Sequence, residues 1–169
     1  CRLLLINLFS FVKNPYTPKA NFNYKLYANV IQKAQRLMDD IVDLELELMD
    51  KIIFKIESDP EPNDVKAIEL NLWKRLKQNC TNGRRTGLGI TALGDTLAAI
   101  NIRYGSEESI KETEKIYKTL AVNAYKSSCL MAKERGPFPI FNHKLEQNHP
   151  FLQRIWKASD KTTLGIYNK

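Results

Sequence analysis

Asn82-Gly83-Arg84-Arg85-Thr86-Gly87-Leu88-Gly89-Ile90-Thr91-Ala92-Leu93-Gly94-Asp95 is the stretch whose reading decides the fold. Two adjacent arginines lead into an apolar run that carries Gly87 and Gly89, and an amphipathic segment follows at once. Glycine has no side chain to pack and loses more backbone entropy on folding than any other residue. Inside a strand it therefore marks a place where another backbone or a ligand comes close. Thr86 to Ile90 reads as a short strand, and Leu93 to about Asn101 as the helix after it. Asn82-Gly83 reads as the stop of the helix before the arginines.

Upstream, Arg2 to Val12 is apolar apart from Asn7 and Ser10, the pattern of a buried strand covered on both faces. Asn14-Pro15 and Thr17-Pro18 mark a loop. A long helical pattern starts near Asn23, with Leu26, Val30, Ile31, Ala34, Leu37, Met38 and Ile41 at i, i+3, i+4 spacing. It runs through Leu48 and Ile52 toward Ile56, a length within which a break or a bend is expected. Two prolines in Ser58-Asp59-Pro60-Glu61-Pro62-Asn63 end it. Val65 to Gln78 is a second amphipathic helix, with Ile68, Leu72 and Leu76 on one side and Trp73 beside them.

Downstream, Ser106 is a good N-cap, and Glu107 and Glu108 suit the positive end of a helix dipole. Tyr117, Leu120, Ala121, Ala124, Met131 and Ala132 form that helix's predicted buried face, and Gly136-Pro137 stops it. Phe138 to Phe141 reads as a short strand or an extended arm. His149-Pro150 opens a last short helix carrying Leu152, Ile155 and Trp156. Two apolar strands among long helices give a helix-rich α/β chain, yet two strands alone do not make a sheet with both faces covered.

A chain of 169 residues is about one domain's worth. No apolar run approaches the ~20 residues of a membrane helix. Leu3-Leu4-Leu5-Ile6 is too short and lacks the flanks of a signal peptide, so a cytoplasmic protein without a membrane partner is expected. The net charge of +7 is spread thinly: lysines at 111, 115, 118, 126 and 133 alternate with glutamates at 107, 108, 112, 114 and 134. Interleaved signs mark a solvated helix face rather than the clustered basic patch of a nucleic-acid binder. Cys80 and Cys129 lie in helical contexts and read as small core hydrophobes. His143 and His149, six apart in a polar stretch, miss the one-face spacing of a zinc site, so no metal is expected.

Arg84-Arg85-Thr86-Gly87-Leu88-Gly89 resembles a segment of the large catalytic subunit of ribonucleotide reductases. Cys1-Arg2-Leu3-Leu4-Leu5-Ile6-Asn7-Leu8 resembles the family's strand that begins at a reductant cysteine, and Phe11-Val12-Lys13-Asn14-Pro15-Tyr16-Thr17 the loop after it. Arg103-Tyr104-Gly105-Ser106-Glu107-Glu108 and Ala132-Lys133-Glu134-Arg135-Gly136-Pro137-Phe138-Pro139 resemble two further landmarks, in the family's order. The likeness is strongest to the adenosylcobalamin-dependent class. One departure is Leu4-Leu5, where many members have Gly-Ser.

The resemblance implies a partial arc of a ten-stranded α/β barrel, with residues 1–169 a single segment incomplete at both ends. A first residue of cysteine rather than methionine fits an internal segment or a piece released beside an intein. It implies that Cys1 is one of two reductant cysteines. Its disulfide partner and the thiyl cysteine, which sits in an Asn-x-Cys-x-Glu motif, are expected upstream. A buried thiol at a strand start is the plain alternative for Cys1. The implied whole enzyme converts ribonucleotides to deoxyribonucleotides with adenosylcobalamin, is recharged by a thioredoxin-type reductant and works with the rest of its chain as a homodimer. The segment alone is expected to bind no cofactor and to be inactive. The alternative from another class is a non-catalytic helical interaction or assembly module derived from the same family.

Two constellations have plain readings. Asp39, Asp43 and Glu47 share one helix face at i, i+4, i+8, as a carboxylate metal site would need. No Glu-x-x-His accompanies them, so solvation or pairing with basic residues is expected. Arg84-Arg85 could grip a phosphate. However, Gly87, Gly89 and Gly94 fit neither the dinucleotide fingerprint nor the P-loop. The arginines are expected to pair with carboxylates and the glycines to ease packing.

Overall fold

Asn7 decides where the first strand stops. Its side chain accepts a hydrogen bond from the Phe9 amide at 3.1 Å and turns the chain into a 3₁₀ turn, Leu8–Phe11. The expected strand from Arg2 to Val12 is thereby divided into β1 (Arg2–Asn7) and a two-residue β2 (Val12–Lys13). The turn lets Leu8 and Phe11 both enter the core, which an unbroken strand would forbid by pointing its residues alternately to opposite faces.

The computed structural model describes residues 2–161 and 163, so Cys1 and the segment after residue 163 lie outside the described residues. After β2 come β3 (Asn21–Phe22), α1 (Tyr24–Ser58), α2 (Asn63–Gly83), β4 (Thr86–Thr91), α3 (Leu93–Ala99), α4 (Glu107–Arg135), α5 (His143–Glu146) and α6 (Pro150–Ala158). The helices start where their caps are. Asn23 accepts from the Leu26 amide at 3.2 Å, Ser106 from Ser109 at 3.2 Å, and His149 from Phe151 at 3.3 Å. The described strands form two separate pairs: β1 with β4 in parallel, and β2 with β3 antiparallel. Among the described residues there is no closed barrel, and no helix is long and apolar enough to cross a membrane.

α1 runs 35 residues without the expected break. Its buried residues Tyr27, Ile31, Ala34, Met38, Val42, Met49 and Ile56 fall three, four or seven apart, one stripe along the whole rod. At its first half, Tyr27, Ile31 and Ala34 join Ile6, Leu8, Phe11, Phe22, Ile116 and Leu120 in the main core. Farther along, Val42 and Met49 pack with Cys80 of α2, beside Leu46 and Trp73. A third cluster joins Cys129 of α4 to Leu152, Ile155 and Trp156 of α6, as the sequence anticipates for the last helix.

Several expectations need correction. α2 is longer than Val65–Gln78, and its cap is Arg84 in the left-handed region at φ 39°, not Asn82-Gly83. Ile68, Leu72 and Leu76 are exposed, while the side of α2 that meets α1 carries Trp73 and Cys80. On α1, Leu26 and Leu37 are also exposed, and on α4 the fully buried residue is Ile116 while Tyr117 is half exposed. Phe138 to Phe141 is a turn closed by a 2.9 Å bond from the Phe141 amide to the Phe138 carbonyl, not a strand. A helical period finds apolar residues, but the neighbours that happen to be present decide which of them are covered.

Candidate functional site

The sheet brings the two informative stretches of sequence together. The register sets Leu3 opposite Gly87, Leu4 opposite Leu88, Leu5 opposite Gly89 and Ile6 opposite Ile90. Side chains alternate along a strand, so Leu4, Ile6, Leu88 and Ile90 face α1 and α4 in the core. The other face holds Leu3 and Leu5, 77% and 63% exposed, beside the two glycines. A Cβ added at Gly89 would stand 2.8 Å from Leu5 Cδ2, so the missing side chain is the space Leu5 occupies. The close approach foreseen at the glycines is, at Gly89, that of a leucine across the sheet.

Just before β4, Arg84 is pinned to α1. Its Nε and Nη1 donate to Asp39 and Asp43 at 2.7 Å each, and its Nη2 to the Asp39 carbonyl at 3.0 Å. Arg135, the last residue of α4, shares Asp39 and adds Asp40: Nη1 donates to Asp39 at 2.7 Å and Nη2 to Asp40 at 2.6 Å. Asp39, Asp40 and Asp43 lie within 4.8 Å of one another, close enough to suggest a cation site. Two guanidinium groups already supply the opposing charge. The hydrogen bond to Asp39 leads in raising the Arg84 pKa, and the bond to Asp40 does so for Arg135. Both therefore stay charged, and the left-handed strain at Arg84 is offset by what its side chain gains. The arrangement is a clamp on the relative positions of α1, α4 and the entry to β4.

Pairing of the acidic cluster with basic residues is therefore borne out, with Asp40 taking the place expected for Glu47. Arg85, by contrast, is exposed. Arg135 is the partner that sequence reading missed, because it comes from nearly a hundred residues away and no local spacing announces it. A second junction lies at the start of β1. Arg2 pairs with Glu45 of α1 and donates from Nη2 to Cys80 Sγ at 2.8 Å. The Cys129 thiol is pushed up to about 11 by burial, as suits a core residue. His143 and His149 fall in the α5–α6 region, where His149 serves as a helix cap. The candidate site residue Cys1 lies outside the described residues, immediately before Arg2 of β1.

The family model described as "Ribonucleotide reductase, barrel domain" matches residues 1–164. A vitamin B12-dependent ribonucleoside-diphosphate reductase of Mycobacterium tuberculosis is 38% identical over 79 residues, 47% of this chain and 11% of the relative. A ribonucleoside-diphosphate reductase subunit alpha of Chlamydia pneumoniae is 26% identical over 142 residues, 84% of this chain and 11% of the relative. An African swine fever virus large subunit is 38% identical over 58 residues, 34% of this chain and 8% of the relative. The chain thus spans about a tenth of the length of these relatives. The matched residues include the parallel strand pair, the arginine clamp and the helices α1 to α6 of the described residues, and the chain belongs to the ribonucleotide reductase barrel-domain family.

Proposed function

We propose that residues 1–169 are one segment, an arc of the catalytic barrel, of a ribonucleotide reductase that converts ribonucleotides to deoxyribonucleotides. The parallel pairing of β1 with β4 carries this reading: it sets the strand after Cys1 beside the Thr86-Gly87-Leu88-Gly89 strand. Parallel sheets are covered on both faces in complete domains. Here helices cover one face, while Leu3 and Leu5 leave the other bare. In the proposed barrel that bare face is the inside, and the rest of the same polypeptide supplies the remaining strands.

Ribose reduction needs two electrons, which a pair of thiols gives by closing to a disulfide as water leaves the sugar. A thioredoxin-type reductant then reopens the disulfide by thiol–disulfide exchange. Cys1 is proposed as one thiol of that pair, with its partner and the thiyl cysteine in upstream segments. The proposed enzyme is a cytoplasmic homodimer. Its proposed cofactor is adenosylcobalamin, in keeping with the vitamin B12-dependent reductase of Mycobacterium tuberculosis among the relatives. The described residues do not fit that group by themselves. Two of their clefts, of 420 Å³ along Asp50, Lys74 and Lys77 and of 340 Å³ along Tyr125, Glu146 and His149, are open surface depressions rather than enclosed pockets.

The test is made in the full-length enzyme. Cys1→Ser should abolish repeated turnover with thioredoxin as sole reductant while nucleotide binding persists, and Cys80→Ser and Cys129→Ser should keep turnover. Wild-type turnover by Cys1→Ser would return Cys1 to an ordinary strand thiol. A wild-type enzyme that forms no deoxyribonucleotide would favour the non-catalytic reading.

A further inference from the structure

The parallel strand pair is tied to α1 at one end. At the start of β4, Arg84 holds Asp39 and Asp43, and Gln35 Nε2 donates to Thr86 Oγ1 at 3.2 Å. At the start of β1, opposite Thr86 in the register, Arg2 reaches three segments with one guanidinium group. It pairs with Glu45 of α1, donates from Nη2 to Cys80 Sγ of α2 at 2.8 Å, and sets Nη1 3.5 Å from the Arg85 carbonyl oxygen. Its side chain is only 16% exposed. The other ends of the two strands run into the 3₁₀ turn at Leu8 and into the left-handed Ala92 instead. Packing alone does not call for an arginine here. An apolar side chain would fill the position without the cost of taking a guanidinium and a carboxylate out of water. The ion pair adds placement: a planar fork of donors accepts few orientations, so it fixes the backbone that carries it. That backbone is joined to Cys1 by a single peptide bond.

We infer that Glu45, acting through Arg2, is a positioning residue for Cys1 in the thiol–disulfide cycle. The inference deepens the proposed reading of Cys1 and rests on it. A disulfide forms only in a narrow relative geometry of its two sulfurs, which a frayed strand start would rarely offer. A thiol held in place has a high effective concentration toward its partner, and the disulfide it closes is correspondingly hard to reduce. Glu45 fixes Arg2 against α1, and Arg2 fixes the start of β1. Neither side chain is asked to touch the nucleotide, so their effect is confined to the redox half of the cycle.

The test equilibrates the full-length enzyme with mixtures of reduced and oxidised dithiothreitol and counts the Cys1 disulfide by mass spectrometry after alkylation. Closing the disulfide passes two electrons and two protons to oxidised dithiothreitol, which becomes the dithiol. Glu45→Gln and Arg2→Gln should both make the disulfide several-fold easier to reduce. Both should lower kcat with thioredoxin several-fold and leave the nucleotide KM unchanged. Met49→Ala, which loosens the same helix pair away from Arg2, should melt earlier yet keep the wild-type equilibrium and kcat. The two glutamine variants separate placement from charge. Glu45→Gln leaves the Arg2 charge uncompensated, which favours a thiolate nearby, whereas Arg2→Gln removes that charge. Shifts of opposite sign would therefore assign the effect to charge and overturn the inference. So would a wild-type equilibrium in Glu45→Gln, or an equal shift in Met49→Ala. A wild-type enzyme that forms no Cys1 disulfide would remove the proposed reading of Cys1 and the inference together. Unchanged variants of an enzyme that does form it would remove the inference alone.

Discussion

The two halves of α1 are stabilised differently. From Tyr27 to Ala34 the helix lies on a core fed by strands, the 3₁₀ turn and α4, and Tyr27 and Ile31 are fully buried. From Val42 to Ile56 its buried apolar contacts are with α2, in a cluster of Val42, Met49 and Cys80 with ion pairs beside it, while Asp43 and Glu45 still reach Arg84 and Arg2. One continuous helix, about 52 Å long at 1.5 Å per residue, thus passes from a layered α/β core into a thin two-helix arm. The contrast teaches that one buried stripe can be covered in unlike ways. The first half buries it against a layered core and the second against a single helix.

Core truncation should separate the halves most. Ile31→Ala should cost about 3–5 kcal/mol, because its site is enclosed on all sides and cannot collapse, and Met49→Ala about 2 kcal/mol at the thinner cluster. Urea unfolding measures both, and equal losses would break the comparison.

The ion pairs give the next largest difference. Asp39 is only 13% exposed, and Arg84→Ala leaves Arg135 as its remaining guanidinium partner. That change should cost about 2–3 kcal/mol, less than for a fully buried pair. Lys77→Ala removes a solvent-exposed pair on the arm and should cost less than about 1 kcal/mol. Thermal unfolding at low and high salt sharpens the contrast, since only the Lys77 contribution should fade with salt. A Lys77 loss as large as that of Arg84 would show that the arm depends on its charges as much as the core does.

The effect expected at the sheet's bare face falls between those of Arg84 and Lys77. Gly89→Val in the full-length protein should cost about 1–2 kcal/mol by crowding Leu5. If the melting temperature is unchanged while nucleotide binding weakens, the glycine serves a ligand rather than a neighbour.

Much of this was readable locally. Asn23, Ser106 and His149 cap their helices, and the prolines at 60 and 62 separate α1 from α2, because caps and breaks depend on residues within three or four positions. The Thr86–Ile90 strand was legible from its glycines, and the pairing of Arg84 with acidic residues from its charge. Arg135 and Glu45 were not legible as partners, nor was the exposure of Ile68 and Leu72. Each depends on which segments meet across the fold.

The sequence by itself determined where the long helices α1 and α4 begin, the helix-rich α/β character and the family. All three are written in short-range spacing and motif. Tertiary structure alone decided that β1 lies parallel to β4, with Leu5 in the space Gly89 leaves open. It also decided that α1 continues unbroken into an arm whose apolar face stays bare. Pairing and burial are set by contacts between residues far apart in the chain, and periodicity names the candidates for burial without naming what will cover them.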